Sequence, residues 1–131
     1  MEAALQMILG PAFLLIGLSH AAQPAAWVRF FEVVKGTGVA GFIIAMFSLP
    51  IGLVLLAGHQ VWRWEPALLL TVAGYGLTFK STLYLLAPRF ADYMIERKMA
   101  KSLWSYQVAG AVMAVLAGFI TWQAWAARLA A

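Results

Sequence analysis

The chain has 131 residues, 64% of them hydrophobic and 11% charged, with a mean hydropathy of +0.86 and a formal net charge of +4. Soluble domains carry roughly 45–50% apolar and about 25% charged residues, so this composition excludes an ordinary soluble domain and points to a membrane protein. Cysteine is absent, which excludes disulfides, redox CxxC motifs and thiolate metal sites.

Four apolar stretches follow one another, each close to the ~20 residues a helix needs to cross a ~30 Å hydrocarbon core. The first covers about Ala3–Ala22. Ser19-His20-Ala21 offers a small-x-small cleavage pattern, but Glu2 is the only side-chain charge before the apolar run, where a signal peptide would be positive. A retained helix is expected, with Gln6, Gly10, Gly17 and Ala21 on one face. After Pro24, Trp27, Phe30, Phe31 and Val34 recur at helical spacing with Arg29, Glu32 and Lys35 interspersed. Such a segment lies in the headgroup plane, apolar side down.

The second stretch, Val39–Gly58, places Gly41, Ala45, Ser48, Gly52 and His59 in one stripe. Pro50 lies mid-span on the other side and is a candidate kink, because it removes a backbone hydrogen bond. The third stretch, Pro66–Ala87, is polar on two sides. Thr71, Tyr75, Thr78 and Thr82 share one face; Ala73, Gly76, Lys80 and Tyr84 share nearly the opposite one. Neither can look at lipid without cost, so this helix requires two neighbours, one of which can be a partner chain. Lys80 lies about 12 Å from the end of its helix at Pro88, within partial reach of the interface by snorkelling or of an anionic headgroup.

After Pro88 comes a second amphipathic segment, with Phe90, Tyr93 and Met94 against Asp92, Glu96, Arg97 and Lys98. The fourth stretch, Leu103–Ala126, carries Gln107, Gly110, Ala111, Ala114, Gly118 and Thr121 on one side, with Val108, Val112, Val115, Leu116 and Phe119 on the other. Close approach at small residues is what holds membrane helices together. Gly41, Ala45, Gly52, Gly110, Ala114 and Gly118 are therefore the expected packing positions. A shift of 64 residues aligns Gly10 with Gly74, Pro24 with Pro88 and Glu32 with Glu96, which suggests a pair of parallel helical hairpins. The expected fold is all-α: one domain, an integral membrane bundle of four transmembrane helices.

Basic residues are unevenly placed. Arg29, Lys35, Arg89, Arg97, Lys98 and Lys101 fall in segments 23–38 and 88–102, against Arg63 and Arg128 on the opposite side. The positive-inside rule puts those segments in the cytoplasm, and both termini with the Gln60–Glu65 loop outside. Trp62, Trp64, Trp122 and Trp125 then mark the outer interface, Trp27 and Trp104 the inner one.

His20 and His59 fall at opposite ends of their helices, roughly a ~30 Å membrane thickness apart, and cannot share a metal or haem. The acidic residues Glu2, Glu32, Glu65, Asp92 and Glu96 all lie outside the spans, so the paired carboxylates of general acid–base chemistry are missing. No catalytic residue, cofactor, metal or nucleic-acid partner is expected.

The stretch His59–Pro88 resembles a family of small bacterial membrane proteins with the pattern H-N-x-W, T-x-x-G-W, K-G and a closing proline. The corresponding residues are His59-Gln60-Val61-Trp62, Thr71-Val72-Ala73-Gly74-Tyr75, Lys80-Ser81 and Pro88, with Gln60, Tyr75 and Ser81 departing from the pattern. The resemblance implies a protein of the bacterial inner membrane and assigns no activity. The expected function is a structural or accessory component, self-associating or packed in a larger membrane complex. A small oligomeric transporter or channel is the alternative, with Lys80, Tyr75 and Pro50 as its parts, and lipid or quinone binding beside the third helix is a third. Lys80, Tyr75, Thr71, Tyr84 and His59 are the candidate functional or lipid-contact residues.

Overall fold

Two prolines punctuate the chain, and each converts a long helix into a short one. In the computed structural model, which describes all 131 residues, α1 (Glu2–Ala22) leads into α2 (Pro24–Gly36), and α4 (Leu68–Leu86) leads into α5 (Pro88–Met99). The residues before the prolines, Gln23 and Ala87, sit at φ −133° and −132°, outside the helical region. Proline disfavours helical geometry in the preceding residue and suits the first turn of a new helix. The remaining long helices are α3 (Ala40–Gly58) and α6 (Leu103–Ala130). Between α2 and α3 the chain reverses through Gly38 at φ +76°, a left-handed conformation that glycine adopts without Cβ strain. Ser102 caps α6, its Oγ accepting the Ser105 N–H at 3.4 Å.

Three helices are long and apolar enough to cross a membrane: α1, α3 and α6. This corrects the expected bundle of four transmembrane helices. The third expected span is helical as α4, but its nineteen residues include Lys80, three threonines, Ser81, two tyrosines and two glycines. Length and freedom from clustered charge had made α4 look like a span; its hydroxyls, glycines and lysine dilute its apolar content below the other three. Outside the packing contacts the surface is strongly apolar, with Ile8, Leu15, Met46, Phe47, Val112 and Phe119 all exposed. A continuous apolar exterior of this kind suits lipid and not water.

The long helices pair antiparallel, α1 with α6 and α3 with α4. The 64-residue shift relates two long–short–long units that run in the same direction, α1–α2–α3 and α4–α5–α6, and each unit's first helix packs on the last helix of the other. The reason lies in the small residues. A Cβ added to Gly17 would stand 2.7 Å from the Ala114 nitrogen and 2.8 Å from the Gly110 oxygen, and one on Gly110 would stand 2.6 Å from the Gly17 oxygen. Gly52 meets Thr78 and Gly74 meets Leu55 just as closely. Gly41 faces Ala91 and Tyr84, Ala45 is fully buried, and Gly118 makes only an ordinary contact with Leu14. The buried line of α6 runs through Tyr106, Gly110, Ala114, Ala117, Ile120 and Ala124, so Gln107 and Ala111 turn outward. Both α3 and α1 run unbroken through their internal prolines, Pro50 and Pro11.

The helix pairs meet each other in one half of the molecule. There Leu55, Leu70 and Ile120 form a core with Leu9, Phe13 and Ala73. At the other end α2 and α5 lie across the long helices, joined by the 2.6 Å Lys35–Glu96 ion pair and by Val34, Ile95 and Ala40. Within the α3–α4 pair the Ser48 and Ser81 hydroxyls bond at 2.6 Å.

Close packing at Gly17 makes a sharp prediction. Gly17→Ala forces α1 and α6 apart and destabilises the protein by about 1–3 kcal/mol, the usual range for overpacking. Gly76→Ala on α4 meets nothing within 4 Å and is expected to be neutral or to stabilise by up to ~1 kcal/mol through helix propensity. Thermal unfolding of the detergent-solubilised variants, followed by circular dichroism, compares them directly.

Candidate functional site

Because the two helix pairs converge in only one half of the molecule, they leave a cavity of about 580 Å³ beneath α2 and α5. Every helix contributes to its wall. Lys80 and Tyr84 come from α4, one turn apart on the same face. Arg97 and Lys98 come from the last turn of α5, and Lys101 from the turn that follows. Ser105, Tyr106, Ala109, Gly110 and Met113 line it from α6, His20 from α1, Phe31 from α2 and Ile44 from α3. The volume falls in the ~300–1,000 Å³ range of small-ligand sites.

The charge in this wall has one sign. Lys80, Arg97, Lys98 and Lys101 face the cavity and no carboxylate does. The two ion pairs of the protein, Lys35–Glu96 and Arg63–Glu65, leave all four without an acidic partner. Aromatic faces supply part of their support. The Lys98 Nζ stands 4.3 Å from the centroid of the Phe31 ring, and the Lys80 Nζ stands 5.8 Å from that of Tyr84. Protein around Lys98, followed by the like charges of Lys80 and Lys101, lowers its pKa to about 8.

The hydrogen bonds fix this wall in place. The Tyr106 hydroxyl donates to the Lys98 carbonyl at 2.7 Å and ties α6 to α5. His20 stacks on Trp27 with ring centroids 3.9 Å apart, and its Nδ1–H donates to the Ile16 carbonyl at 2.9 Å. That tautomer leaves Nε2 free to accept or take up a proton. The Trp27 indole donates to Ser19 at 3.0 Å. An anion with an apolar appendage fits this arrangement: cations and hydroxyls at one end, Ile44, Ala109 and Met113 beyond.

Of the residues singled out in the sequence, Lys80 and Tyr84 belong to this cavity, while His59, Thr71 and Tyr75 lie at the opposite end. His59 is fully buried there. Its Nδ1–H donates to Thr71 Oγ1 at 2.9 Å, and its Nε2 accepts from the Gln6 amide at 3.0 Å. Thr71 Oγ1 also accepts the Val61 N–H at 3.0 Å and donates to the His59 carbonyl at 3.4 Å. Both lone pairs and the proton of the hydroxyl are then used. Tyr75 donates to Gln60 at 3.3 Å, and the Gln60 N–H donates to Glu2 at 3.1 Å. This cluster is a satisfied latch tying α1 and α4 to the loop that follows α3. Burial lowers the His59 pKa, a shift that the charges of Glu2 and Glu65 oppose.

Sequence reasoning missed His20, Arg97, Lys98, Lys101, Ser105 and Tyr106 as members of one site. In the sequence these cations stand out only as loop charges that set orientation. One signal was present: the 64-residue shift that aligns Pro24 with Pro88 also aligns His20 with Tyr84, and both line the cavity. No group of three His, Cys, Asp or Glu side chains is placed to hold a metal ion. Neither the sequence nor the fold matches a protein-family model, a curated protein or a solved structure.

Two titrations follow. Lys98 is expected to titrate near pH 8, well below an ordinary lysine, and Lys101→Gln to raise that value by removing a like charge. NMR of methyl-labelled lysines reads both, and an unchanged Lys98 titration in the variant would contradict the cluster. His59 is held neutral by the fold, so the folded state binds fewer protons than the unfolded one just below the ordinary value of 6.5. Stability is complete above that pH and falls as pH drops beneath it. His59→Gln removes this acid-side component, which urea titrations at pH 7 and pH 5 would compare.

Proposed function

We propose that the protein is a non-enzymatic membrane protein that holds an amphiphile, its anionic head in the basic cavity and its apolar part between the two helix pairs. The observation that carries this is the wall itself: Lys80, Arg97, Lys98 and Lys101 gathered without a carboxylate around a cavity whose other residues are mainly apolar or aromatic. Like charges gathered on one wall without counter-ions repel one another, and an anionic ligand removes that cost. Quinone heads are neutral and would leave it in place. Of the binding readings, an anionic lipid therefore fits better than a quinone.

The expectation of a partner chain rests on the two polar faces of α4. Thr71 and Ser81 are taken up within the fold, and Lys80 and Tyr84 face the cavity. Tyr75 and Thr82 stay exposed, but their hydroxyls bond Gln60 and the Thr78 carbonyl within the chain, so neither hydroxyl supplies an argument for a partner chain. The transporter reading keeps Lys80 in its wall but loses Tyr75, which sits at the opposite end.

The membrane placement belongs to the same proposal. The end formed by α2 and α5 holds Arg29, Lys35, Arg89, Arg97, Lys98 and Lys101. By the positive-inside rule it faces the cytoplasm of a bacterial cell. The resemblance of His59–Pro88 to small bacterial membrane proteins supports that compartment. Both termini lie at the end opposite the cavity, Met1 against Gly58 and Arg128 near Ala4 and Met7.

Native mass spectrometry of the full-length protein in mild detergent tests the reading. Phosphatidylglycerol is expected to be retained over zwitterionic phosphatidylethanolamine, and Lys80→Met to reduce that preference. Equal retention of the two lipids would remove the basis for the proposal. Selective solute flux through reconstituted liposomes, lost in Lys80→Met, would favour the transporter instead.

A further inference from the structure

Resting on the amphiphile-binding reading, we infer that the head bound in the cavity is a phosphomonoester dianion, carried by a lipid. Charge is the first ground. Four cationic side chains line the wall, and Glu96, the nearest acid on α5, is engaged by Lys35 at 2.6 Å on the α2 side. A phosphodiester head brings one negative charge. A phosphomonoester brings about −1.5 to −2 at neutral pH and three terminal oxygens, each a strong acceptor. Of these two phosphate heads it comes nearer to offsetting the four positive charges and offers more terminal oxygens to their donors.

Donor geometry is the second ground. Lysine ammoniums are point donors and the Arg97 guanidinium is a planar fork, the two side-chain types that bind phosphate most readily. The Ser105 hydroxyl is paired only with Ser102, at 3.1 Å, and Tyr84, which lines the cavity, makes no hydrogen bond through its hydroxyl. Each can donate to a phosphate oxygen by rotating its proton. A carboxylate head has two oxygens and one charge, and it would leave most of these donors idle.

The third ground concerns where the rest of the molecule goes. Gly76 lies one turn before Lys80 on α4, and nothing stands within 4 Å of a Cβ built there. The flank of α4 beside the cations is thus uncovered, while Ala109 and Met113 line the opposing helix. A chain leaving the head site has an apolar course between α4 and α6. A water-soluble phosphomonoester would use the cations and leave this course empty.

The groups facing Lys98 are Lys80 from α4, Lys101 beyond α5, the Phe31 ring from α2, and His20 and Tyr106 from α1 and α6. Several titrate, so absolute affinity against pH mixes their effects with that of the ligand. The ratio of phosphomonoester to phosphodiester affinity cancels the protein's part to first order. It isolates the second phosphate ionisation near pKa ~6.

The experiment is a native mass spectrometric titration of the full-length protein with dioleoyl phosphatidate, dioleoyl phosphatidylglycerol and glycerol 3-phosphate, at pH 7.5 and pH 5.5. The expected result is about tenfold tighter binding of phosphatidate than phosphatidylglycerol at pH 7.5, in line with an added charge-assisted contact. That ratio shrinks at pH 5.5. The double variant Lys98→Gln/Lys101→Gln loses the preference, and Arg63→Gln at the far end keeps it. Equal binding of the two lipids at both pH values overturns the dianion inference and leaves the amphiphile reading standing. Retention of neither lipid overturns both. Glycerol 3-phosphate bound as tightly as phosphatidate keeps the head assignment and overturns the lipid as its source.

Discussion

Backbone contact between glycines is the constraint from which the rest of the structure follows. Gly17 and Gly110 bring α1 and α6 so close that neither position has room for a methyl group, and Gly52 and Gly74 do the same for α3 and α4. In an apolar solvent, close packing supplies the attraction between helices that hydrophobic burial supplies in water. Each pair is therefore tight within itself. Between the pairs the contact runs through Leu55 and Leu70 against Ile120 and through Gly58 against Leu5, in one half of the molecule. The other half stays open, and the cavity is that opening.

The short helices turn an opening into a site. Pro24 and Pro88 fold α2 and α5 across the ends of the long helices, and the Lys35–Glu96 pair joins them. Half-exposed ion pairs contribute little stability by themselves. This one has a second consequence, because Glu96 is drawn toward α2 and away from Arg97, Lys98 and Lys101. The charges of α5 are thereby sorted: the acid goes to the neighbouring short helix, the cations to the cavity.

Much of this could be seen in the amino-acid order. Prolines and glycines mark the helix ends, and the amphipathic spacing after Pro24 and Pro88 announces two surface helices. The packing glycines are legible as well, although the buried line of α6 is turned to Tyr106 and Ala117 instead of Gln107 and Ala111. Small residues occur on both flanks of that helix, so spacing alone does not settle which flank is covered. The rank of α4 as a span was misjudged because hydroxyls and glycines carry no charge and pass unnoticed in a search for uncharged stretches. The cavity was not legible at all. Lys80 is far in sequence from Lys98 and Lys101, and only the folding of α5 back over α4 brings them together.

The two ends of the molecule treat polar groups in opposite ways, and the contrast carries the functional argument. At the His59 end the buried side chains of the cluster are saturated: Thr71 uses both lone pairs and its proton, and the histidine uses both nitrogens. A saturated network has nothing left to offer a ligand and is well suited to holding helices in register. At the Lys80 end the cations lack counter-ions, His20 keeps Nε2 free, and aromatic rings stand in for carboxylates. A protein that needed only to be stable would gain by placing an acid there, since gathered like charges repel. Leaving the position unfilled makes sense when the missing negative charge arrives from outside the chain.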